Sequence, residues 1–533
     1  MGLNNFYNFK NTIRHFVNID NLSYPSDISS FSTEDLCWTI PIPYRIKKEN
    51  DVYRTIKMPN PLNFVRAYNY YCGLPNFTTV NNIDPQHKRL SVNMSTGDFV
   101  AGDYNKQLDE DFSKLCAYDY LLKLDISEYY GKIYTHYLDL KSLYNLNDNV
   151  LSSLYNGRTS GVLMGNYLSL YFAEYMLSKI CKEIQENIDA EDINCEFNHF
   201  SDDFFFFCNE SDADRIITIF DDALQKFDFS RKEKSHSIWD YETYNAYNIL
   251  TRYWKATIRH WNLEVLKDYE NARKHRHSSL HKLVFLNQLI YRLSSLSDEK
   301  SKRIFVTNFF KTKHFQETDF NNYNVKTYDY HQLSFLLKLA PETLLYTSYI
   351  FNNMRAFDNN SIRDFLLARY KEALKKPLHD EQLCYYYTLK CYGFSNLLPS
   401  TTPLVLESQN QVLISYYLKD NLFSQAQKDT LKLLTDEQYW FQNYHLILYS
   451  PELMSDLITN INKYLIPNMA LGKTNKEIRY RNFYHDNLCA GNAMINDISQ
   501  VISNIQQYLS LRHEETAIEF EEDEVEDVEI EEL

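Results

Sequence analysis

Glycine supplies only 11 of the 533 residues and proline 13, which excludes collagen-like and Gly/Pro-rich disordered classes and makes any clustering of glycine informative. Long apolar runs are missing as well. None approaches the ~20 residues that span a bilayer, so no membrane attachment is predicted. The opening stretch, Met1-Gly2-Leu3-Asn4-Asn5-Phe6, has neither a basic segment leading into an apolar core nor a myristoylation pattern. A soluble, cytoplasmic protein is expected. The nine cysteines, at 37, 72, 116, 181, 195, 208, 384, 391 and 489, are odd in number and lack any CxxC pair or zinc-like spacing. They read as free thiols in a reducing compartment.

Core-forming material is plentiful. Hydrophobic residues make up 44% of the chain and aromatics 15%, enough to bury substantial cores, and the length fits roughly two to four domains. The 44 tyrosines, with abundant Asn, Ile and Lys, follow an AT-rich composition and are not read as a functional signal. The net charge is −16, but residues 514–533 hold twelve acidic and no basic side chains, which leaves −4 for the rest. A nearly balanced body can still carry basic patches that hold phosphates.

The most informative stretch is Phe200-Ser201-Asp202-Asp203, followed by Phe204 to Phe207. It predicts a β-hairpin with adjacent carboxylates at its tip. Two neighbouring aspartates repel, which favours a divalent cation against them; a solvated Asp-Asp turn is the alternative. Earlier in the chain, Tyr44-Arg45-Ile46-Lys47-Lys48 and Tyr53-Arg54-Thr55-Ile56-Lys57-Met58-Pro59 alternate cations with apolar residues at the period of a strand. The alternation is read as putting Arg54 and Ile56 on opposite faces; a strand with Arg and Lys on one side suits a triphosphate, and a solvated strand face reads the same way.

Residues 120–130 predict a short apolar strand, Leu121 to Leu124, that ends in Asp125 and turns into a helix through Gly131-Lys132-Ile133-Tyr134-Thr135-His136. A carboxylate at the end of a buried strand requires a positive partner. Tyr130 lies beneath whatever a metal there holds, or belongs to the core, and a lone His136 is most simply structural. Three of the eleven glycines fall at 157, 161 and 165, ahead of a helix in which Leu168, Phe172, Tyr175, Met176 and Lys179 keep a helical period. They admit close approach of a base pair or template, or mark a plain loop-helix junction. A helix with Ile216, Ile217, Ile219 and Phe220 follows the hairpin, and then comes Phe229-Ser230-Arg231-Lys232-Glu233-Lys234-Ser235.

In this order the segments resemble the palm of reverse transcriptases over about residues 45–250. Asp125 with Tyr130 is similar to the family's first catalytic motif and its aromatic steric gate. Gly161-x3-Gly165-x3-Ser169 is similar to the next, Phe200-Ser201-Asp202-Asp203 to the aromatic-x-Asp-Asp box, and Lys234 to the lysine that follows. Arg54 and Lys57 look like the fingers residues that contact the incoming nucleotide. Ile133-Tyr134-Thr135-His136, Gly165-Asn166-Tyr167-Leu168-Ser169 and Met58-Pro59-Asn60-Pro61 most resemble the bacterial abortive-infection and defence-associated reverse transcriptases, the AbiK-like group. Two departures stand out: Met164 replaces the glutamine common before the second glycine, and no zinc finger, maturase segment or RNase H carboxylate set is found.

The resemblance implies an α+β fold of fingers and palm over residues 1–250. A large all-α, HEAT-like domain over 251–512 and an acidic disordered tail over 513–533 are expected to follow. It implies an antiviral DNA polymerase of the bacterial cytoplasm that acts in phage defence by abortive infection. Two Mg²⁺ ions, or Mn²⁺, would be held by Asp125, Asp202, Asp203 and the Ile126 carbonyl. Arg54, Lys57, Ile126, Tyr130 and Gly165 would bind the nucleotide, and Lys234 would donate a proton to pyrophosphate. The implied partners are dNTPs, a single-stranded DNA product that is either free or attached to the protein, a small non-coding RNA in some members, and further copies of the chain. Synthesis is either protein-primed and template-independent or copies a small partner RNA. The alternatives are a nucleic-acid-binding scaffold with an inactive palm and a palm that makes a cyclic or short nucleotide signal.

Beyond residue 250, stripes such as Leu283, Leu286, Ile290 and Leu293, or Ile362, Phe365, Leu366 and Tyr370, repeat at helical spacing. Two basic clusters interrupt them: Arg273-Lys274-His275-Arg276-His277 through Lys282, and Lys473, Lys476, Arg479 and Arg481 interleaved with Tyr480, Phe483 and Tyr484. Each reads as a guide for a single strand or as a solvated helix face. The acidic tail reads as a solubilising segment or a nucleic-acid mimic.

Overall fold

The computed structural model describes residues 2–9, 12–31, 36–49, 52–74, 77–100, 103–138, 149–232, 237–246, 248, 284–294, 296, 299–320, 323, 325–466 and 474–527. In chain order, the elements around the site are β1 (Ile42–Glu49), β2 (Val52–Met58), α1 (Pro61–Cys72), α2 (Asp103–Leu115), β3 (Tyr120–Asp125), α3 (Tyr167–Ala190), β4 (Cys195–Phe200), β5 (Asp203–Cys208), α4 (Ala213–Gln225) and β6 (Ser237–Trp239). From residue 284 onward the described chain is helical, and includes α5 (His379–Cys391), α6 (Trp440–Leu448), α7 (Thr474–Cys489) and α8 (Ile498–Asp527). The fold is therefore α+β and mostly helical. No helix among the described residues is long and apolar enough to cross a membrane.

The central sheet has the order β4-β5-β3-β6, with every neighbouring pair antiparallel. The run of four phenylalanines belongs to a strand packed on both faces, with Phe204, Phe206 and Phe207 buried and Phe205 half-buried. Phe204 and Phe206 pack on Phe220 of α4, with ring centroids 5.1 and 5.8 Å away. Phe207 points the other way and packs with Leu108, Phe112 and Leu115 of α2, Leu121 and Tyr244. In α3, Leu168, Phe172 and Met176 are buried as their spacing predicts, and Asn166 caps the helix by accepting the Ser169 amide at 3.0 Å.

The expected parting near residue 250 falls in 249–283, outside the described residues. On either side of it, one continuous core runs from Tyr7 to Leu509. The N-terminal segment is stitched to the last helices: the Asn18 amide donates to the Met494 carbonyl and the Asn496 amide to the Phe16 carbonyl, both at 2.9 Å. The Trp440 indole of α6 donates to the Ile40 carbonyl at 2.9 Å. Helix α8 runs to Asp527, so the backbone of 514–527 is helical. Glutamate is a good helix former, and propagation from a packed segment needs no new nucleus.

Helix α5 docks on β1. The Arg45 amide meets His379 Nδ1 at 3.3 Å, and the Lys47 amide donates to Asp380 Oδ2 at 3.2 Å. Burial, and then the charge of Glu381, pushes the Asp380 carboxyl up from 3.8 to about 7, against the Lys47 and Glu381 backbone bonds and Arg303. Between those two values the native state keeps a proton that the unfolded chain gives up. Asp380 therefore costs stability progressively as pH rises from 3.8 to about 7, and its cost levels off above. Asp380→Asn keeps the oxygen that accepts the Lys47 amide and removes the ionisation. Its melting temperature is expected to gain on wild type across that window and hold a constant lead above it; a lead independent of pH contradicts this account of the docking.

Candidate active site

The β4–β5 hairpin turns through two residues, Ser201 and Asp202, since Phe200 pairs with Asp203. Ser201 adopts φ +54°, a left-handed conformation uncommon outside glycine and fitted to a tight hairpin. Across the sheet, Asp125 stands opposite Asp203. The next residue continues the contact, because the Ile126 amide donates to the Asp202 carbonyl at 3.1 Å. On the other side of this segment, the Ser127 amide donates to the Ser230 carbonyl at 2.9 Å and the Lys232 amide to the Asp125 carbonyl at 2.8 Å. Asp125, Asp202, Asp203 and the Ile126 backbone are thus brought to one end of the β3–β5 pair.

Two lysines answer this concentration of charge. Lys123 Nζ lies 2.9 Å from Asp203 Oδ2, and Lys232 Nζ lies 3.1 Å from Asp125 Oδ2. The Asp203 carboxyl is nevertheless pushed above the ordinary range: burial is the main cause, Lys123 opposes it, and the charges of Asp125 and Asp202 add to it. Lys232 is raised by its hydrogen bond to Asp125 first and by the fields of Asp203 and Asp202 after. The three aspartates do not form a group of ligand atoms all within 4.8 Å of one another. As a donor set they fit a hard divalent cation of the Mg²⁺ or Mn²⁺ class, offering carboxylate oxygens and no nitrogen or sulfur. Lys234 lies outside the described residues. Lys123 was missed in the sequence although a signal existed, since residues two apart on a strand share a face and Lys123 must flank Asp125. Lys232 lay within the quoted basic segment, with nothing local to prefer it over its neighbours.

A cleft of about 640 Å³ adjoins this end of the fold and is lined by Thr55, Lys57, Tyr130, Tyr155, Arg158 and Met164, among others. Lys57 Nζ bonds the Tyr155 hydroxyl and sits 4.2 Å from its ring centroid, while the Arg158 guanidinium lies 5.0 Å from the same centroid. Burial alone would raise the Tyr155 phenol, but the hydrogen bond from Lys57 and the charges of Lys57 and Arg158 outweigh it and the phenol is lowered. Tyr130 is raised by burial, then by the charges of Glu174 and Asp202, with Arg54 opposing. Its phenol therefore senses both the aspartate end and the β2 cation. Arg54 and Ile56, two residues apart on β2, share a face rather than taking opposite ones, and Lys57, three residues from Arg54, takes the other face. Lys57 shares the cleft face with Thr55, and Arg54 is exposed nearer the hairpin end. His136 is exposed and packs on Tyr134, with centroids 4.7 Å apart.

The glycine loop forms the cleft wall. The Gly161 amide donates to the Ile133 carbonyl at 2.8 Å and the Val162 amide to the Tyr130 carbonyl at 3.0 Å, while the Met164 carbonyl accepts the Lys57 amide at 3.1 Å. The loop thereby ties β2 to the segment after Asp125. Gly165 follows at φ +119° and leads directly into the Asn166 cap of α3.

The basic cluster 273–282 and Lys473 lie outside the described residues. The three aromatics and two arginines of the second cluster make contacts within the protein. Tyr480, Phe483 and Tyr484 of α7 are buried in the core, where no base can stack on them. Arg479 faces Asp27 at 3.6 Å and covers the Phe31 ring at 3.8 Å, and Arg481 pairs with Glu477.

No family model and no curated protein matches the chain. Among solved structures it is similar to telomerase from Candida albicans in complex with a fragment of telomeric RNA, at 12% identity and a TM-score of 0.27. The match covers 74% of this chain and 64% of that one. At that TM-score the likeness carries no argument about the site.

Gly161 provides a direct test of the cleft wall. It has φ +86°, and a Cβ there would lie 3.0 Å from the Gly131 carbonyl oxygen. Gly161→Ala is expected to cost about 1–2 kcal/mol of unfolding free energy, the left-handed penalty of an L-residue, measured by denaturant titration. A neutral substitution contradicts the described backbone of the wall.

Proposed function

We propose that this chain is a palm-type nucleotidyltransferase related to reverse transcriptases, built as fingers and palm followed by a HEAT-like helical array, and serving in phage defence. The observation that carries the reading is the pairing of Asp125 with Asp203 across β3 and β5, with Asp202 at the turn. Three carboxylates at the end of one strand pair, next to a cleft with a lysine, an arginine and a tyrosine, suit transfer of a nucleotide from a triphosphate. Two Mg²⁺ or Mn²⁺ ions, held by Asp125, Asp202, Asp203 and the Ile126 carbonyl, would supply the activation of the attacking hydroxyl and the neutralisation of the leaving pyrophosphate.

The chain's own groups do the rest. Lys57 and Arg158 provide positive charge in the cleft for the phosphates, with Arg54 reaching from the opposite face of β2. Tyr130 lies against the sugar and crowds a 2′-hydroxyl, which selects dNTPs. Lys232, whose ammonium is 3.1 Å from Asp125 Oδ2, takes the role of proton donor to pyrophosphate alongside Lys234. The product is a single-stranded DNA, either attached to the protein as its own primer or copied from a small RNA.

Purified protein is expected to incorporate dNTPs in the presence of Mg²⁺, and Asp202→Asn to lower the rate by roughly 10²–10³-fold or more with the fold intact. Equal incorporation by both proteins rejects the reading. Tyr130→Ala is expected to raise incorporation of rNTPs relative to dNTPs by about 10-fold or more, because the steric penalty on a 2′-hydroxyl disappears. An unchanged ratio removes Tyr130 from nucleotide selection.

A second reading has its own support. Lys123 and Lys232 already neutralise two of the three aspartates, as a scaffold with an inactive palm would require. That reading expects nucleic acid bound by wild type with no product in Mg²⁺ or Mn²⁺. A palm that makes a short or cyclic signal gives mono- or oligonucleotide product on a denaturing gel, where a polymerase gives long strands.

A further inference from the structure

Behind the hairpin, Asp84, Cys181 and His199 bring a carboxylate oxygen, a thiol sulfur and an imidazole nitrogen within 4.8 Å of one another. They come from three parts of the chain: the segment before residue 87, the middle of α3, and β4. Cys181 and His199 are 0% and 1% exposed, and His199 Nδ1 is buried without a hydrogen-bond partner. Buried imidazole nitrogens are ordinarily satisfied, so this one points to a missing ligand.

The surroundings are built rather than incidental. The His199 amide donates to the His87 carbonyl at 2.6 Å and the Arg89 amide to the His199 carbonyl at 3.0 Å, which clamps the 87–89 segment along the edge of β4. His87 Nδ1 lies 2.8 and 3.0 Å from the two Asp84 oxygens, and its ring stacks on Phe197 at 4.6 Å. That is the arrangement by which an outer-shell group orients a metal-binding carboxylate. Next to the cluster, Lys88 pairs with Glu174 at 3.2 Å. With Cys181 as thiolate, the negative charges of Asp84, Cys181 and Glu174 against the positive charge of Lys88 leave a balance that one divalent cation cancels. The Asp84 side chain is 13% exposed, so the site has a route from solvent.

We propose that Asp84, Cys181 and His199 form a binding site for a divalent transition cation of the zinc class, distinct from the hard-cation site of the aspartates at the hairpin tip. Sulfur and imidazole nitrogen select Zn²⁺ over Mg²⁺. Without metal, burial and the neighbouring Asp84 keep the Cys181 thiol protonated, while burial keeps His199 in the neutral form that ligates. Binding forms a sulfur–metal bond and releases the thiol proton to solvent, with no change of oxidation state. His199 stands three residues before Asp202 and pairs with Phe204, one pair from the turn, so the ion braces the tip end of β4 against α3.

The test uses the full chain, stripped with chelator and titrated with Co²⁺, which reports thiolate coordination by a ligand-to-metal charge-transfer band and is displaced by Zn²⁺. One equivalent is expected to develop the band, Cys181→Ser to abolish it, and Asp84→Asn to weaken Co²⁺ binding by about 10–100-fold or more. The Asp125→Asn/Asp202→Asn double variant is expected to keep it, which separates this site from the proposed catalytic one. Absence of the band in wild type overturns the proposal, as does a band that survives Cys181→Ser. Should Cys181→Ser fail to fold, the wild-type spectrum and the half-buried Asp84→Asn still decide.

Discussion

The pairing of β3 with β5 is the constraint on which the site depends. It sets Asp125 opposite Asp203, and the same register buries Leu122 and Leu124 of β3 and Phe204 and Phe206 of β5. A slip of one residue would turn this whole apolar set to the other face of the sheet. Because both faces are covered, by α4 on one side and α2 on the other, the register has no freedom. The like charges at its end are held together by hydrophobic packing rather than by attraction. Burial, with the charges of Asp125 and Asp202 adding to it, keeps Asp203 raised despite Lys123, and lysines from two different segments converge on the same end.

The rest of the fold serves to present this end to the cleft. The glycine loop joins β2 to the turn after Asp125 through backbone hydrogen bonds, and the side chains of Lys57, Tyr155 and Arg158 define the cleft's charge. The helical half is part of the same body: α5 supports the β1–β2 hairpin, and the N-terminal strip is pinned between the last helices. Movement of the β1–β2 hairpin would therefore be felt at Asp380 and His379.

The local features were legible in the sequence. Four consecutive phenylalanines after two aspartates specify a doubly buried strand leaving a turn, Asp125 ends an apolar run, and three glycines in a glycine-poor chain mark a close backbone approach. Features that need the third dimension were not legible. Arg54 was expected opposite Ile56, yet the period of two that identified the strand puts residues two apart on one face and separates Arg54 from Lys57. Tyr480, Phe483 and Tyr484 resembled a stacking surface, because an aromatic-basic pattern on a helix looks alike whether its aromatics face a core or a base. The cysteines carried no metal spacing because the partners of Cys181 sit on other elements, Asp84 about a hundred residues before it and His199 in a neighbouring strand.

Two chemically different donor sets meet one hairpin: oxygen donors at its tip, and sulfur and nitrogen donors where α3 packs one residue pair behind it. The direct measurement is thermal unfolding of wild type and of the Asp125→Asn/Asp202→Asn variant with and without Mg²⁺, a cation the sulfur-nitrogen site does not favour. Mg²⁺ is predicted to raise the melting temperature of wild type by mass action and to leave the variant unmoved. Equal shifts in both proteins, or none in either, would contradict a divalent-cation site at the hairpin tip.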